Sequence, residues 1–194
     1  MREVIIETPR LVIRNWIDTD RALFFEINSD PRVLRHLLGP QDRAQTDALM
    51  DETSRIIRAH GHGHFALERK EDRQPVGMCA LNPTALAPHL PAGTHELAWR
   101  LAVPFWGQGY ISEAAKALMQ LGFQIRGLSE IVALTVPQNT RSRAVMERIG
   151  LKRDVARDFD HPHVPSSHPH LIRHIVYAIT RDDWAVSQSG RPPA

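Results

Sequence analysis

The sequence predicts one α/β domain, α+β in its ordering, built on a mixed sheet of about six to seven strands with helices on both faces. Three observations carry that prediction. Short β-branched and aromatic runs stand in hairpin order through the first half of the chain. The second half alternates strand, helix, strand, helix, strand. No repeat with a period of about 20 to 50 residues recurs, which excludes solenoids and propellers.

The elements follow in chain order. Thr8-Pro9-Arg10 leads into a first strand over residues 11–16. Asp18, Thr19 and Asp20 then offer N-caps to a helix with Leu23, Phe24 and Ile27 on one face, ending near Ser29-Asp30-Pro31. A second helix spans residues 42–60, with Leu49, Ile56 and Ile57 at helical spacing, and stops at Gly61-His62-Gly63. Residues 64–70 and 75–82 read as strands joined by the charged turn Glu71-Asp72-Arg73-Gln74, and residues 94–103 as a third with Leu97, Trp99 and Leu101 alternating. Residues 112–126 make a helix with the inner stripe Ala115, Leu118, Gly122 and Ile125, and Gly127 follows its end. Residues 131–136 form a short apolar strand of the doubly buried type. A helix over 139–149 is closed by Gly150, and strands over 151–158 and 171–180, separated by a His/Pro loop, complete the sheet. The domain is expected over residues 1–183, with 184–194 a flexible tail.

Composition narrows the class. A chain of 194 residues fits one domain, large enough to bury roughly 70% of its unfolded surface. An apolar fraction of 42% and a charged fraction of 24% exclude a disordered chain. The lone cysteine, Cys79, excludes a disulfide framework and a Cys-rich zinc module, fits a reducing compartment, and reads as a buried core thiol. Lysine and arginine total 24 against 22 acidic residues, with no block of like charge, so neither nucleic acid nor a membrane surface is an expected partner. Residues 1–10 mix Arg2, Glu3, Glu7 and Arg10 around Val4-Ile5-Ile6, unlike a signal peptide. The longest uncharged stretch, 74–95, is broken by Pro75, Pro83, Pro88 and Pro91 and cannot be a membrane helix. A soluble, cytoplasmic protein is the expectation.

The most informative stretch runs from His95 to Ala115, where a strand enters a tight glycine turn and the turn opens a helix. Glycine lets backbone N–H groups approach a ligand, and a helix start adds partial positive charge, so the place suits a phosphate; a tight turn with no ligand is the plainer reading. A dinucleotide fingerprint fails because Gly107-x-Gly109 is followed at the third position by Ser112. A P-loop fails because Gly122 to Ser129 lacks the lysine.

This stretch resembles the acyl-CoA-binding turn of the GCN5-related N-acetyltransferases (GNAT), especially the RimJ/RimL-type branch that acetylates ribosomal-protein N-termini. That branch reads Glu-x-Gly-Tyr-Arg-Leu, then Trp-Gly-Lys/Gln-Gly-Tyr-Ala-Thr-Glu-Ala; here stand Glu96, Ala98, Trp99, Arg100 and Leu101, then Trp106-Gly107-Gln108-Gly109-Tyr110-Ile111-Ser112-Glu113-Ala114. A second family motif, Asn-x-x-Ser-x-x-x-x-Glu-Lys-x-Gly-Phe, is matched by Asn139, Ser142, Glu147, Arg148, Gly150 and Leu151. The resemblance runs from about residue 8 to 180 and implies the GNAT fold, with a mostly antiparallel sheet. It also implies acetyl-CoA as co-substrate, a primary amine (a protein N-terminus or a small molecule) as acceptor, no metal, and a monomer or homodimer. The implied cofactor-binding residues are Leu101, Ala102, Val103, Gly107, Gln108, Gly109, Tyr110, Ile111, Ser112, Asn139 and Ser142. Two departures stand out: Ile111 is bulkier than the family residue and must point away from the cofactor, and Glu113 must turn outward or meet an arginine.

Acetyl transfer needs a neutral amine. An α-amine, with a pKa of about 7.7–8.0, is partly neutral at pH 7, whereas lysine at about 10.4 needs far more help. Glu96 matches the family's strand carboxylate and is the first candidate for the base; otherwise it is a solvated strand glutamate. Ser142 is the candidate to protonate the leaving thiolate, or else bonds its own helix turn. Asn139 would bond the pantetheine arm or cap the helix, and strand N–H groups near Leu101 to Val103 would hold the oxyanion. His161, His163, His168, His170 and His174 crowd one segment, yet Pro162, Pro165 and Pro169 break any helix that would align them on a metal. The family reading puts this loop beside the acceptor, with Asp158, Asp160 and His161 as contacts. A non-catalytic acyl-CoA-binding module is the alternative function; it would keep the turn but need neither Glu96 nor Ser142.

Overall fold

In the computed structural model, which describes residues 3–189, the strands are β1 (Val4–Glu7), β2 (Leu11–Arg14), β3 (Gly63–Arg69), β4 (Pro75–Pro83), β5 (His95–Leu101), β6 (Glu130–Thr135), β7 (Lys152–Asp160) and β8 (Arg173–Thr180). The helices are α1 (Arg21–Ser29), α2 (Arg43–His60), α3 (Tyr110–Gln120), α4 (Thr140–Arg148), the single turn α5 (Pro169–Ile172) and α6 (Arg181–Gln188). One sheet holds all eight strands in the order β1-β2-β3-β4-β5-β6-β8-β7. Every neighbouring pair is antiparallel except β5 and β6. This is the mixed, mostly antiparallel sheet expected, with one strand more.

The extra strand is β1. Its Val4-Ile5-Ile6 run is too short and too flanked by charge to signal a strand alone, and pairing with β2 makes it one. The helices cover both faces. On β5, side chains alternate: Arg100 reaches α1, donating to Asn28 Oδ1, while Leu97 turns to the other face. There Leu81, in register with Leu97, lies beneath Gly122 at the end of α3; a Cβ on Gly122 would come within 3.1 Å of Leu81 Cδ2.

Local chemistry sets the helix ends. Asp42 caps α2 in a reciprocal box with Gln45, and Gly61, at φ +68°, closes it. In α2 the buried residues are Thr46, Met50, Thr53, Ser54 and Ile57, whereas Leu49 is 38% exposed. The predicted stripe along α3 also shifts. After Gln120 the backbone widens into a π turn, Leu121–Ile125, with the Arg126 N–H bonded to Leu121 O. The extra residue rotates Ile125 outward, and it is 76% exposed instead of buried.

Two boundaries differ from the sequence expectation. Leu171 belongs to α5 rather than to the last strand, because Pro169 starts a helical turn there. Past residue 183 the chain continues as α6, which Thr180 caps, and Trp184 lies against Phe123 with centroids 5.2 Å apart. Of the expected 184–194 tail, residues 190–194 lie outside the described residues. No helix among the described residues is long and apolar enough to cross a membrane.

Beneath α1, Arg14 is 1% exposed. It donates to both Asp20 carboxylate oxygens, at 2.6 and 3.0 Å, and to Glu68 at 2.6 Å. A buried guanidinium is tolerable only when paired this fully, and removing one partner leaves an uncompensated charge. Asp20→Ala is therefore expected to lower the unfolding free energy by about 3–5 kcal/mol with an unchanged denaturant slope. Denaturant titration of the parent and variant measures it.

Candidate active site

The pairing of β5 determines where a ligand can approach. Along β4 it is bonded from end to end, but with β6 it shares only His95↔Ile131 and Glu96↔Val132. The Ala102 N–H donates to Val76 O, so by antiparallel alternation the N–H groups of Trp99 and Leu101 point to the other edge, where β6 has parted. Ala102 is thus excluded as an oxyanion donor. The Leu101 carbonyl on the open edge accepts from the Trp106 indole at 2.9 Å. Val103 begins a short 3₁₀ turn, Val103–Phe105, that carries the chain into the glycines.

Gly107 and Gly109 take φ of +75° and +80°, a backbone that side-chain-bearing residues adopt only with strain. Gly109 is the N-cap of α3, and no side chain caps the N–H groups behind it. The first turn therefore presents unpartnered donors from Tyr110, Ile111 and Ser112. The Ser112 hydroxyl is buried with no partner, and a Cβ on Gly107 would meet nothing within 4 Å. Tyr110 and Ile111 send their side chains into the core, as the bulk of Ile111 requires. Gln108 braces the turn, its Nε2 donating to Pro104 O at 2.9 Å.

Glu113, in the first turn of α3, faces away from the free N–H groups. Its carboxylate accepts from Thr8 Oγ1 (2.6 Å), the Arg10 N–H (2.8 Å) and Arg10 Nε (2.6 Å). Burial raises its pKa, but these donors outweigh burial and hold the group below its ordinary value. At α4, Asn139 accepts from the Ser142 N–H and donates to Ser142 Oγ (3.0 Å) and Thr135 Oγ1 (2.9 Å). Its side chain is a helix cap. Ser142 Oγ accepts there and keeps its own proton free.

On the α1 face of β5, Glu96 lines a cavity of about 340 Å³ with His64, Asn82, Thr84, Ala98 and His161. No hydrogen bond reaches its carboxylate from any described residue, and burial pushes the carboxyl up to about 7. His64 and His161 offer no charge to oppose this. Burial and the nearby Arg100 hold His64 down to about 4, and burial with His174, His163 and His89 holds His161 down to about 4. Both are neutral at pH 7. A second cavity of about 340 Å³ adjoins at His161 and is lined by Asn28, Leu34, Gln41, Leu49, Arg100 and Leu171 among others. This explains the exposure of Leu49: it faces that cavity.

Of the three expected acceptor contacts, the structure brings only His161 to Glu96. Between Asp154 and Phe159 the register of β7 on β8 shifts, which turns Phe159 inward to stack on His89 at 4.7 Å. Asp158 pairs with Arg153 and accepts the Val176 N–H; burial raises its pKa, but these donors hold the carboxyl below its ordinary range. Asp160 pairs with Arg173 at the surface. Neither aspartate lines the cavity. Sequence reasoning missed Asn82, Thr84 and Arg100. Arg100 was findable, since it shares a strand face with Glu96; Asn82 needs the β4–β5 register, which places it opposite Glu96. Among the described residues, no group of three or more His, Cys, Asp or Glu side chains is arranged to hold a metal ion.

A family model described as an acetyltransferase (GNAT) domain matches residues 10–152. The chain belongs to that family. It is 30% identical over 145 residues to the uncharacterized protein YkkB of Bacillus subtilis, across 74% of this chain and 83% of that one. The crystal structure of a GNAT-family acetyltransferase from Bacillus anthracis is 26% identical, covers 94% of this chain and 99% of its own, and superposes with a TM-score of 0.74. RimL, a ribosomal L7/L12 α-N-protein acetyltransferase, shares the fold at a TM-score of 0.74 and 16% identity, over 93% and 95% of the two chains. RimL has also been solved in complex with coenzyme A.

The Glu96 carboxyl gives a stability signature. Its folded pKa, about 7, lies above the ordinary glutamate value, so the folded state holds the extra proton between about pH 4.5 and 7. Stability from this group is complete below that window and is lost as pH rises through 7. Glu96→Gln is expected to flatten the stability profile over pH 4.5–7 and to leave the variant more stable than the parent above pH 7. Chemical denaturation across that range checks it.

Proposed function

We propose that the protein is an acetyl-CoA-dependent N-acetyltransferase that passes an acetyl group directly to a primary amine, of a peptide or of a small molecule. The observation that carries this reading is Glu96: a carboxyl with no hydrogen-bond partner among the described residues, poised near neutrality, where β5 and β6 part toward a donor-rich glycine turn.

The turn fits the phosphate end of such a co-substrate. The N–H groups of Tyr110, Ile111 and Ser112, the orphaned Ser112 hydroxyl and the bare Gly107 surface would hold the pyrophosphate, with Gln108 and Gly109 shaping the loop. The β5 edge at Leu101 and Val103 would take the pantetheine arm, and Ala102 serves there as a spacer. Asn139 is occupied as a cap, which favours Ser142 as the member of that motif that acts. When bound, acetyl-CoA supplies an acyl group activated as a thioester. The transfer forms an N–C bond and breaks a C–S bond. Glu96 takes the proton from the amine; the sulfur leaves with a proton from Ser142 or from water. Glu96 suits the role better than His161, because a pKa near 7 matches the working pH and one near 4 does not. The Trp99 and Leu101 N–H groups are the free donors for a polarised carbonyl.

Thiol release with acetyl-CoA and a panel of amines tests the activity. Glu96→Gln is expected to lower turnover on the order of 10²-fold at pH 7, with the deficit shrinking as pH rises and the amine deprotonates on its own. Equal rates at pH 7 would take the base role from Glu96. Gly109→Val is expected to weaken acetyl-CoA binding at least about tenfold, because φ of +80° excludes a β-branched residue and the turn must rearrange. Unchanged affinity by calorimetry in a folded variant would remove the turn from the cofactor site.

A further inference from the structure

Orphaned polar atoms cluster around the two cavities. Asn82 and Thr84 line the Glu96 cavity and Gln41 lines its neighbour, and each carries a buried side-chain oxygen with no hydrogen-bond partner among the described residues; the Asn82 amide also faces His62 and His64. Folding leaves such groups unpaired at a cost, so they mark places where a bound molecule completes the bonding. The two cavities differ in character. Around Glu96 the surroundings accept hydrogen bonds: a carboxylate, an amide oxygen and a hydroxyl. The second cavity contains no acidic side chain in its lining and is walled by Leu34, Leu37 and Leu171, with Arg100 at one side.

Arg100 is the unusual group. It is half-buried, forms no ion pair, and its one hydrogen-bond partner among the described residues is the neutral Asn28 Oδ1. A guanidinium carries five donors and matches carboxylate or phosphate oxygens in pairs. The contrast with Arg14, which pairs with two carboxylates in the same protein, is sharp. Burial correspondingly depresses the Arg100 pKa, with no anion to raise it again.

We infer that the acceptor is a bipolar molecule, an amine held at Glu96, Asn82 and Thr84 whose apolar body runs past His161 to an anionic group on Arg100. This rests on the acetyltransferase reading and names the substrate class for it. Glu96 and Arg100 stand four residues apart on one strand face, roughly 13 Å along the backbone, so the two charges of the acceptor are separated by several bonds rather than sharing one carbon as in a free α-amino acid. The anion is a carboxylate or a phosphate; both suit a guanidinium.

Three amines with one six-carbon body separate the cases: 6-amino-1-hexanol, 6-aminohexanoate and 6-aminohexyl phosphate, each assayed with acetyl-CoA by thiol release. At least one anionic amine is expected to exceed the alcohol by about tenfold or more in kcat/KM, chiefly through KM, and the better of the two identifies the anion. In Arg100→Gln that preference is expected to fall to about threefold or less, and Arg100→Lys, which keeps a cation, is expected to retain part of it. An alcohol used as well as either anion in the parent overturns the inference. So does an Arg100→Gln variant that slows all three amines equally, or acetyl-CoA binding by calorimetry with neither anionic amine accepted. Absence of acetyl-CoA binding in the parent overturns the acetyltransferase reading, and this inference falls with it.

Discussion

Two residue pairs, His95↔Ile131 and Glu96↔Val132, join the two halves of the sheet. The site depends on how brief that join is. A parallel pair running the full length of β5 would bond Trp99 and Leu101 to β6 and close the sheet into a continuous surface. Because the strands part after Glu96, backbone donors are left facing open space, the Trp106 indole reaches the Leu101 carbonyl, and the chain passes from β5 through the Val103–Phe105 turn into Gly107–Gly109. The same parting sets Glu96 at the fork itself. A carboxylate, an unpaired strand edge and an uncapped helix start are thereby carried on one strand and the turn that follows it.

The charges show two opposite treatments of burial within one small domain. Arg14, Asp20 and Glu68 pair with one another and serve the fold. Glu96 and Arg100, on the same face of the sheet, have no counter-charge among the described residues, and His64 and His161 are held neutral. Uncompensated groups of this kind are costly in a fold and are retained where a ligand supplies the missing partner.

Much of this was legible in the sequence where the cause is local. Gly107, Gly109 and Ser112 announce a strand-to-helix turn through their own backbone preferences, and Asn139 announces a cap. An anion at a helix start that suits a phosphate must turn outward or meet an arginine, and Glu113 pairs with Arg10. What escaped depends on distant partners. β1 is a strand only because β2 lies beside it. Ile125 fits a helical stripe until a π turn shifts the phase. Asp158 and Asp160 looked like cleft residues because a register shift in β7 and the arginines that claim them are invisible to spacing. Asn82 and Arg100 required the pairing of β4 with β5 and the packing of α1 before they could be seen as part of the site.

The clasp at Glu113 has a thermodynamic corollary. One carboxylate ties Thr8 and Arg10, at the hinge between β1 and β2, to the first turn of a helix 103 positions further along the chain. Peeling the amino-terminal hairpin away would strip that carboxylate of its donors and leave an unmasked anion at the mouth of the turn, where it repels any phosphate. With the turn as the proposed phosphate site, its occupancy and the docking of the hairpin are linked equilibria, each strengthening the other. On that proposal the first two strands, remote from the chemistry in sequence, act as a latch, and amide exchange in them reports whether the turn is filled.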